Sequence, residues 1–187
     1  QFRQALARAY RKWGRDFYVI TYDYHNYFGS IPQKEIARIL NITDLDALLL
    51  LEDYINLFPE GVGIGGEPSQ DIAVTYAHSI DKMLITDKRV DRSGRYMDDG
   101  YASVQNKDDA RAVLNNIKEK SNSLGLVINN KRTKISHMTK DSVIWLKKRT
   151  FISDTGAIVM RLTRENVRDR LRTTKLHKKL VDNGTMP

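Results

Sequence analysis

The five residues from Tyr96 to Gly100 read Tyr-Met-Asp-Asp-Gly and place two adjacent carboxylates among apolar, strand-forming residues. Asp98 and Asp99 repel each other, and strand interiors disfavour Asp, so such a pair is expected where a cation offsets its charge. Carboxylate oxygens are ligands that Mg²⁺ prefers in proteins. The stretch therefore predicts part of a divalent-metal site.

A third carboxylate that could complete this site is Asp23. It follows a β-branched and aromatic run, Phe17–Tyr22, which predicts a buried strand. If two central strands end side by side, the three carboxylates could hold two metal ions. One ion would lower the pKa of an attacking hydroxyl, and both would offset charge on a transferring phosphate. An alternative role for Asp23 is to cap a turn before Pro32.

The composition limits the classes of protein that remain. The chain has 187 residues, of which 41% are hydrophobic, enough for one domain with a core. The absence of Cys excludes disulfides, thiolate zinc sites and cysteine nucleophiles, and it suits a reducing, cytoplasmic location. No apolar run reaches the ~18 residues of a membrane span. Because the chain begins with Gln1 instead of Met, we expect a piece of a longer protein.

Positive charge predominates, with 31 Lys and Arg against 23 Asp and Glu and a net charge of +8. A surplus of this kind favours a polyanionic partner, although an ordinary basic protein is the alternative. A basic helix is predicted from about Thr163, and it is suited to contacting a nucleic-acid backbone. A solvated amphipathic helix is an equally good interpretation of that segment.

The elements that must position these residues follow from periodicity and from turn residues. Helices are predicted at 3–13, from Pro32, at 43–57 beginning at Thr43, at 69–86 and from Asp108 to Leu124, where Asp108 and Asp109 cap the helix. Strands are predicted at 17–23, on both sides of a turn at 97–100, and at 126–128, 134–137, 143–146, 150–153 and 157–162. The order indicates an α+β domain with helices on one face of an antiparallel sheet.

Two segments resemble the motifs of a known family. Asp23–Ile31 (Asp-Tyr-His-Asn-Tyr-Phe-Gly-Ser-Ile) resembles the first catalytic motif of reverse transcriptases, and Tyr96–Asp99 resembles their Tyr-x-Asp-Asp hairpin. With both motifs in this order, the chain resembles the palm of a reverse transcriptase, an RNA-directed DNA polymerase. The resemblance implies an RRM-like or ferredoxin-like core at 17–162. It also implies a remnant of the fingers at 1–16 and the start of a thumb helix at 163–187.

The resemblance implies a site and its partners. Asp23, Asp98 and Asp99 would be catalytic and, with the backbone carbonyl of Tyr24, would hold two Mg²⁺ ions, for which Mn²⁺ can substitute. The partners would be an RNA template, a DNA primer or RNA–DNA hybrid, and deoxynucleoside triphosphates. Phe28, five residues after Asp23, would clash with a 2′-hydroxyl and so favours deoxynucleotides. Its alternative role is that of an ordinary core aromatic.

Further residues are implied to bind the nucleotide. The glycine loop that leads into a helix carries the pattern Ile64-Gly65-x-x-x-Ser69-Gln70. This pattern resembles diversity-generating retroelements and related bacterial and phage enzymes, and the Ile predicts reduced fidelity. Lys131 and Arg132 occupy the family's next motif, in which either Lys131 is the proton donor to pyrophosphate or Arg132 only neutralises charge. The alternatives are a flexible loop and a solvated basic turn. The implied nucleotide-binding residues are Phe28, Ile64, Gly65, Ser69, Gln70, Lys131 and Arg132.

Contacts to the primer and template are implied for the hairpin, for a primer-gripping turn at 144–147 and for the basic helix. In the turn, Lys147 replaces the usual Gly. The implied contact residues are Tyr96, Met97, Leu146, Lys147, Arg164 and Arg168.

Two other functions compete with a reverse transcriptase. Phe28, and Met97 in place of Gly, argue against an RNA virus polymerase, and three intact carboxylates argue against a non-catalytic nucleic-acid-binding module with a palm fold. Because only about 16 residues precede the first strand, we expect the chain to fold but to be weak or inactive in primer extension. The sequence does not select a retroelement class, a priming mechanism or an oligomeric state.

Overall fold

Two antiparallel sheets form the frame of the computed structural model, which describes residues 1–183. The larger sheet has the order β2-β3-β1-β4, and its neighbouring strands are antiparallel. Its strands are β1 (Tyr18–Tyr22), β2 (Val90–Tyr96), β3 (Asp99–Val104) and β4 (Lys134–His137). The smaller sheet consists of β5 (Val143–Trp145), β6 (Lys148–Ile152) and β7 (Ile158–Leu162). The predicted combination of helices with antiparallel sheets is thus confirmed.

Helices precede β1, connect β1 to β2 and β3 to β4, and follow β7. They are α1 (Phe2–Trp13), α2 (Tyr27–Ser30), α3 (Gln33–Ile39), α4 (Leu45–Ile55), α5 (Glu67–Tyr76), α6 (His78–Thr86), α7 (Lys107–Ser123) and α8 (Arg164–Asp182). Over residues 1–183, none of them is long and apolar enough to cross a membrane. Residues 184–187, the end of the segment predicted as the start of a thumb, lie outside the described residues.

Both faces of the larger sheet are covered, whereas the sequence predicted helices on one face only. Ile20 and Tyr22 of β1 point into a core that they share with α3, α5, α6 and α7. Val19 points to the opposite face, where it joins Leu6 of α1 and Val143 of the smaller sheet in a second core. The reason is that β1 is apolar on both of its faces, as strands covered on both sides are.

The structure corrects several predicted helix boundaries. The predicted helix 69–86 is two helices, interrupted at Ala77, and the first of them begins at Glu67. The helix caps also differ from the predicted ones. At the start of α4 the side chain of Asp44, not that of Thr43, accepts a hydrogen bond from the amide of Ala47. Likewise Asn106, and not the acidic pair, accepts the amide of Asp109 at the start of α7. In both helices the capping side chain accepts a hydrogen bond from the amide three residues after it.

The predicted strand at 126–128 is reduced to one isolated bridge between Tyr24 and Ile128. The amide of His25 donates to the carbonyl of Val127 (2.8 Å), and the amide of Asn129 donates to that of Asp23 (2.8 Å). Pairing stops there because the chain after β1 turns away at Asn26, whose φ of 47° is left-handed. The bridge nevertheless fixes the residues on both sides of Asp23.

Candidate active site

The pairing of β1 with β3 brings the three predicted carboxylates to one end of the larger sheet. Tyr22 pairs with Gly100 in an antiparallel register. The next residues outward, Asp23 and Asp99, therefore stand across from each other. Met97 and Asp98 form the two-residue turn between β2 and β3, since Tyr96 pairs with Asp99. Asp23 and Asp99, 76 positions apart in the chain, thus meet at one end of the sheet.

The carboxylates lie in an environment of unbalanced negative charge. The Asp23 side chain is only 6% exposed, and its pKa is raised by burial and then by the charge of Asp98. The pKa of Asp99 is raised to about 6 by burial, and further by Asp98 and Asp23. Arg132 opposes both shifts. The folded chain therefore holds these groups together against repulsion that a bound cation would relieve.

The segment after the bridge holds Asp23 in place. Asn129 donates from Nδ2 to Oδ2 of Asp23 (3.0 Å), in addition to its backbone bond to the same residue. The Arg132 guanidinium lies 3.7 Å from that oxygen, although its side chain is 73% exposed. The side chain of Lys131 makes no hydrogen bond or ion pair with residues 1–183. Of the two basic residues, it is therefore Arg132 that faces a catalytic candidate.

The backbone carbonyl of Tyr24, a predicted metal ligand, is not used in the bridge to Ile128. The bonds of the bridge are made by the neighbours of Tyr24 and Ile128, so these two residues form a non-hydrogen-bonded pair. In such a pair the carbonyl of Tyr24 points away from Ile128, towards the side of β1 on which β3 lies. That side carries Asp98 and Asp99.

The sequence did not indicate what holds the turn. Met97 has a φ of 53°, and its carbonyl accepts a hydrogen bond from Arg95 (2.8 Å). Arg95 in turn pairs with Asp81 of α6. An Arg two positions before the turn was visible in the sequence, but nothing in the spacing identified its partner.

The predicted nucleotide-binding residues divide into exposed and buried groups. Ile64 is 85% exposed, Gln70 is exposed, and Gly65 has a φ of 104° with open space around it. Ser69 is fully buried, and its hydroxyl is hydrogen-bonded to that of Tyr54 (2.7 Å). Tyr54 of α4 therefore covers the Ser69 hydroxyl in this structure, and the nucleotide contact of Ser69 stays a prediction.

Phe28 is half-buried and tied to the glycine loop. Its ring meets that of Tyr27 edge to face, with centroids 5.8 Å apart, and its carbonyl accepts the amide of Val62 (2.9 Å). Gly61 lies against the backbone of Phe28 and Gly29 so closely that a Cβ atom there would overlap them. The loop and the first motif are consequently one packed unit.

The predicted primer and template contacts lie on the surface of three elements. Tyr96 is 60% exposed at the end of β2. Leu146 and Lys147 form the two-residue turn between β5 and β6, with φ values of 48° and 61°, the backbone signs of a type I′ turn. The amide of Thr163 donates to the carbonyl of Lys147 (3.1 Å) and so joins this turn to α8, which carries Arg164 and Arg168.

The donor set fits a hard divalent cation that keeps part of its water shell. Within residues 1–183, no three His, Cys, Asp or Glu side chains converge closely enough to hold one ion by themselves. Mg²⁺, however, usually binds through one or two carboxylates together with waters and substrate phosphates. Oxygen ligands with an excess of negative charge at Asp23, Asp98 and Asp99 meet that requirement.

Comparison with known proteins establishes the fold. No family model and no curated protein matches the chain. Telomerase from Candida albicans, solved with a TWJ fragment of telomeric RNA, matches with a TM-score of 0.62 and 11% identity over 84% of this chain and 32% of that one. Apo telomerase from Candida tropicalis truncated from its C-terminal domain matches with a TM-score of 0.61 and 14% identity, over 86% and 39%.

A second structure of apo telomerase from Candida tropicalis gives a TM-score of 0.60 and 16% identity over 84% of this chain and 34% of that one. The chain thus spans about a third of the length of the solved structures it matches. The predicted polymerase palm-type fold is confirmed by these matches. The assignment to a prokaryotic or diversity-generating reverse transcriptase stays a prediction.

Proposed function

We propose that the chain is the palm of an RNA-directed DNA polymerase in which Asp23, Asp98 and Asp99 direct two-metal deoxynucleotidyl transfer. The observation that carries this proposal is the register that places Asp23 across from Asp99, beside the turn that presents Asp98. The raised pKa values of Asp23 and Asp99 support it, because they reflect like charges brought together. The palm-type fold supports it independently.

Each residue of the site would have a separate role in nucleotidyl transfer. When bound, Mg²⁺ would lower the pKa of the primer hydroxyl and offset the charge of the phosphates. Asp23, Asp98 and Asp99, with the carbonyl of Tyr24, would hold the two ions. Arg132 would neutralise phosphate charge, because an Arg is a poor proton donor. Lys131, whose ammonium is exposed, would then be the acid for the departing pyrophosphate.

Selection of the nucleotide would depend on the first motif and the glycine loop. Phe28 would clash with the 2′-hydroxyl of a ribonucleoside triphosphate and so would select deoxynucleoside triphosphates. Ile64 and Gly65, exposed on the loop, and Gln70, exposed in α5, would meet the base of the incoming nucleotide or of the template. An Ile at position 64 offers no polar contact to a base, which supports the reduced fidelity and the bacterial or phage retroelement origin that we propose.

The RNA template and the DNA primer would approach the basic part of the chain. No Lys or Arg occurs between Arg38 and Lys82, a segment with eight acidic residues: Asp44, Asp46, Glu52, Asp53, Glu60, Glu67, Asp71 and Asp81. A polyanion is repelled by such a segment. We therefore place the phosphate backbones of the primer and template at Tyr96 and Met97, the Leu146–Lys147 turn, and Arg164 and Arg168, and assign only base contacts to Ile64, Gly65 and Gln70.

The strand order supports an RRM-like or ferredoxin-like core. Helices α2–α6 lie between β1 and β2, and α7 lies between β3 and β4 in the chain, with the sheet order β2-β3-β1-β4. We propose residues 17–162 as the palm, with 1–16 and 163–187 leading to fingers and thumb in a longer cytoplasmic protein.

Calorimetric titration of the chain with Mn²⁺ and Mg²⁺ tests the site. The wild type should bind, and Asp98→Asn should lose binding by more than the roughly 100-fold upper range for residues that only support a ligand. Asp108→Asn is the matched control, because that carboxylate is exposed in the first turn of α7 and should leave binding unchanged. A wild type that binds no divalent cation would favour a non-catalytic module with a palm fold. In the longer protein, Asp98→Asn should abolish incorporation of deoxynucleotides on an RNA template.

A further inference from the structure

The guanidinium of Arg95 is buried directly beside the carboxylate turn and bonds to three separate elements. Its side chain is 4% exposed. It donates to both carboxylate oxygens of Asp81 in α6, from Nε (3.0 Å) and from Nη2 (2.7 Å). Nη2 also donates to the carbonyl of Val74 in α5, and Nη1 to the carbonyl of Met97, each at 2.8 Å. One side chain therefore connects the turn to two helices.

The interruption between α5 and α6 makes this arrangement possible. Ala77 leaves helical geometry with φ −88° and ψ 7°, so α5 ends at Tyr76. The carbonyls of a helix's last turn lack partners within the helix. Val74 lies in that turn, and Arg95 supplies a donor to its carbonyl. The helix break at Ala77, which the sequence did not predict, thus exposes a carbonyl that helps to anchor Arg95 beside the turn.

The bond to Met97 determines how the turn is oriented. Met97 adopts a φ of 53°, a left-handed conformation that residues with a Cβ atom seldom adopt. Arg95 holds the Met97 carbonyl in that conformation and thereby fixes the plane of the peptide between Met97 and Asp98. That peptide leads directly into Asp98, and Asp99 follows at the start of β3.

We propose that Arg95, held by Asp81, is a positioning residue that orients Asp98 and Asp99 for a divalent cation. The proposal rests on the proposed function, which supplies the cation. Arg95 itself touches neither metal nor substrate. Lys cannot replace it, because a planar guanidinium reaches acceptors on three elements at once whereas an ammonium is a single point of charge.

The test compares the wild type with Arg95→Lys and with a matched control, Arg89→Lys. Arg89 also forms a two-bond pair with an Asp, through Nε (2.9 Å) and Nη2 (2.6 Å) to Asp87, but it precedes β2, at the end away from the turn. Free Mn²⁺ is measured by electron paramagnetic resonance. Signals of ¹³C-methyl methionine are measured by NMR. Circular dichroism confirms folding.

Arg95→Lys should weaken Mn²⁺ binding roughly 10- to 100-fold and shift the Met97 methyl signal, whereas Arg89→Lys should do neither. A folded Arg95→Lys chain that binds Mn²⁺ as tightly as the wild type overturns the proposal. Should Arg95→Lys not fold, Asp81→Asn serves the same test, since it removes a carboxylate that anchors the guanidinium and keeps Arg95. Asp81→Asn should also weaken Mn²⁺ binding.

The failure of this proposal can be distinguished from failure of the proposed function. A wild type that binds Mn²⁺ while Arg95→Lys and Asp81→Asn bind it equally well contradicts the role of Arg95 and leaves the proposed function standing. A wild type that binds no Mn²⁺ contradicts the proposed function. In that case the Met97 methyl signal decides alone: an unchanged signal in Arg95→Lys shows that Arg95 does not hold the turn.

Discussion

The ring of Tyr22 lies against the α-carbon of Gly100 on the neighbouring strand, and a methyl group on that carbon would fall within 2.5 Å of both Cε atoms of the ring. The Gly that follows the two Asp residues is therefore required by the core beneath them. Gly100→Ala should lower the free energy of unfolding by about 1–3 kcal/mol, because the ring must move out of a packed position. Urea unfolding of the wild type and the variant measures the difference.

A second substitution distinguishes this clash from other effects of Ala at position 100. In a Tyr22→Leu background the ring is absent, so Gly100→Ala should cost less than it does in the wild type. Equal costs in the two backgrounds would contradict the packing explanation.

The hydroxyl of Tyr22 is buried and has no hydrogen-bond partner among the described residues. Tyr22→Phe removes a polar group that lost its hydration on folding, and should therefore be neutral or stabilising by about 1 kcal/mol. Tyr27→Phe is the matched comparison, because the buried hydroxyl of Tyr27 donates to the carbonyl of Ala73 (2.5 Å). That variant should instead be destabilised. The same direction of change in both variants, measured by thermal unfolding, would count against this prediction.

Asn129 and Asn130 are adjacent residues of the same type with different surroundings. Asn129 donates to the buried carboxylate of Asp23, whereas Asn130 is exposed. Asn129→Ala should lower the free energy of unfolding by about 1.5–3 kcal/mol, the usual range for a hydrogen bond to a charged group. Asn130→Ala should change it little. Chemical unfolding of both variants provides the measurement, and similar losses would contradict the role given to Asn129.

The pKa of Asp99 predicts how stability depends on pH. It is raised from 3.8 to about 6 in the folded chain, so folding takes up a proton between these values and stability falls as the pH rises through 6. Asp99→Asn avoids this loss and should be more stable than the metal-free wild type at pH 7.5. We expect about 1–2 kcal/mol, less than the full shift implies, because solvent screens part of the repulsion.

The advantage of Asp99→Asn should shrink as the pH falls below 5, where the wild-type carboxyl is protonated. Unfolding at a series of pH values measures this trend. An advantage that grows at low pH would reverse the predicted sign. Saturating Mn²⁺ should also reduce the advantage if the ion offsets the repulsion.

Phe28 predicts the choice of sugar in the longer protein. Phe28→Ala should raise the incorporation of ribonucleotides relative to deoxynucleotides, because the smaller side chain leaves room for a 2′-hydroxyl. Primer extension with each nucleotide class measures the ratio. Phe58→Ala is a suitable control, because that ring packs against Tyr54 and Gly63 in the glycine loop. An unchanged ratio in Phe28→Ala would show that the ring acts only in packing.

The convergence of Asp23, Asp98 and Asp99 was predictable because each lies at the end of a strongly patterned strand. A continuous β-branched and aromatic run indicated β1, and the acidic pair marked the turn before β3. In a sheet whose central strands pair in this way, the ends of the two strands meet. The palm-type fold followed from the same residues.

The support for these carboxylates was not predictable from local patterns. Arg95 and Asp81 are brought together by a helix break at Ala77 that no Pro or Gly announces. Ser69 had the appearance of a free donor, but the hydroxyl of Tyr54, 15 residues earlier, covers it. Such pairings depend on how helices pack, and the sequence specifies that packing only through the whole core.

Helix α8 is joined at Thr163 to the turn that contains Lys147, and none of its residues is buried. Its 19 residues make it about 28 Å long. It is therefore a lever arm: a tilt of about 10° at Thr163 would move the far end by about 5 Å, given that length. Thr163, at the start of the helix, is hydrogen-bonded to Lys147. A force on the basic residues of α8 would therefore act on the β5–β6 turn.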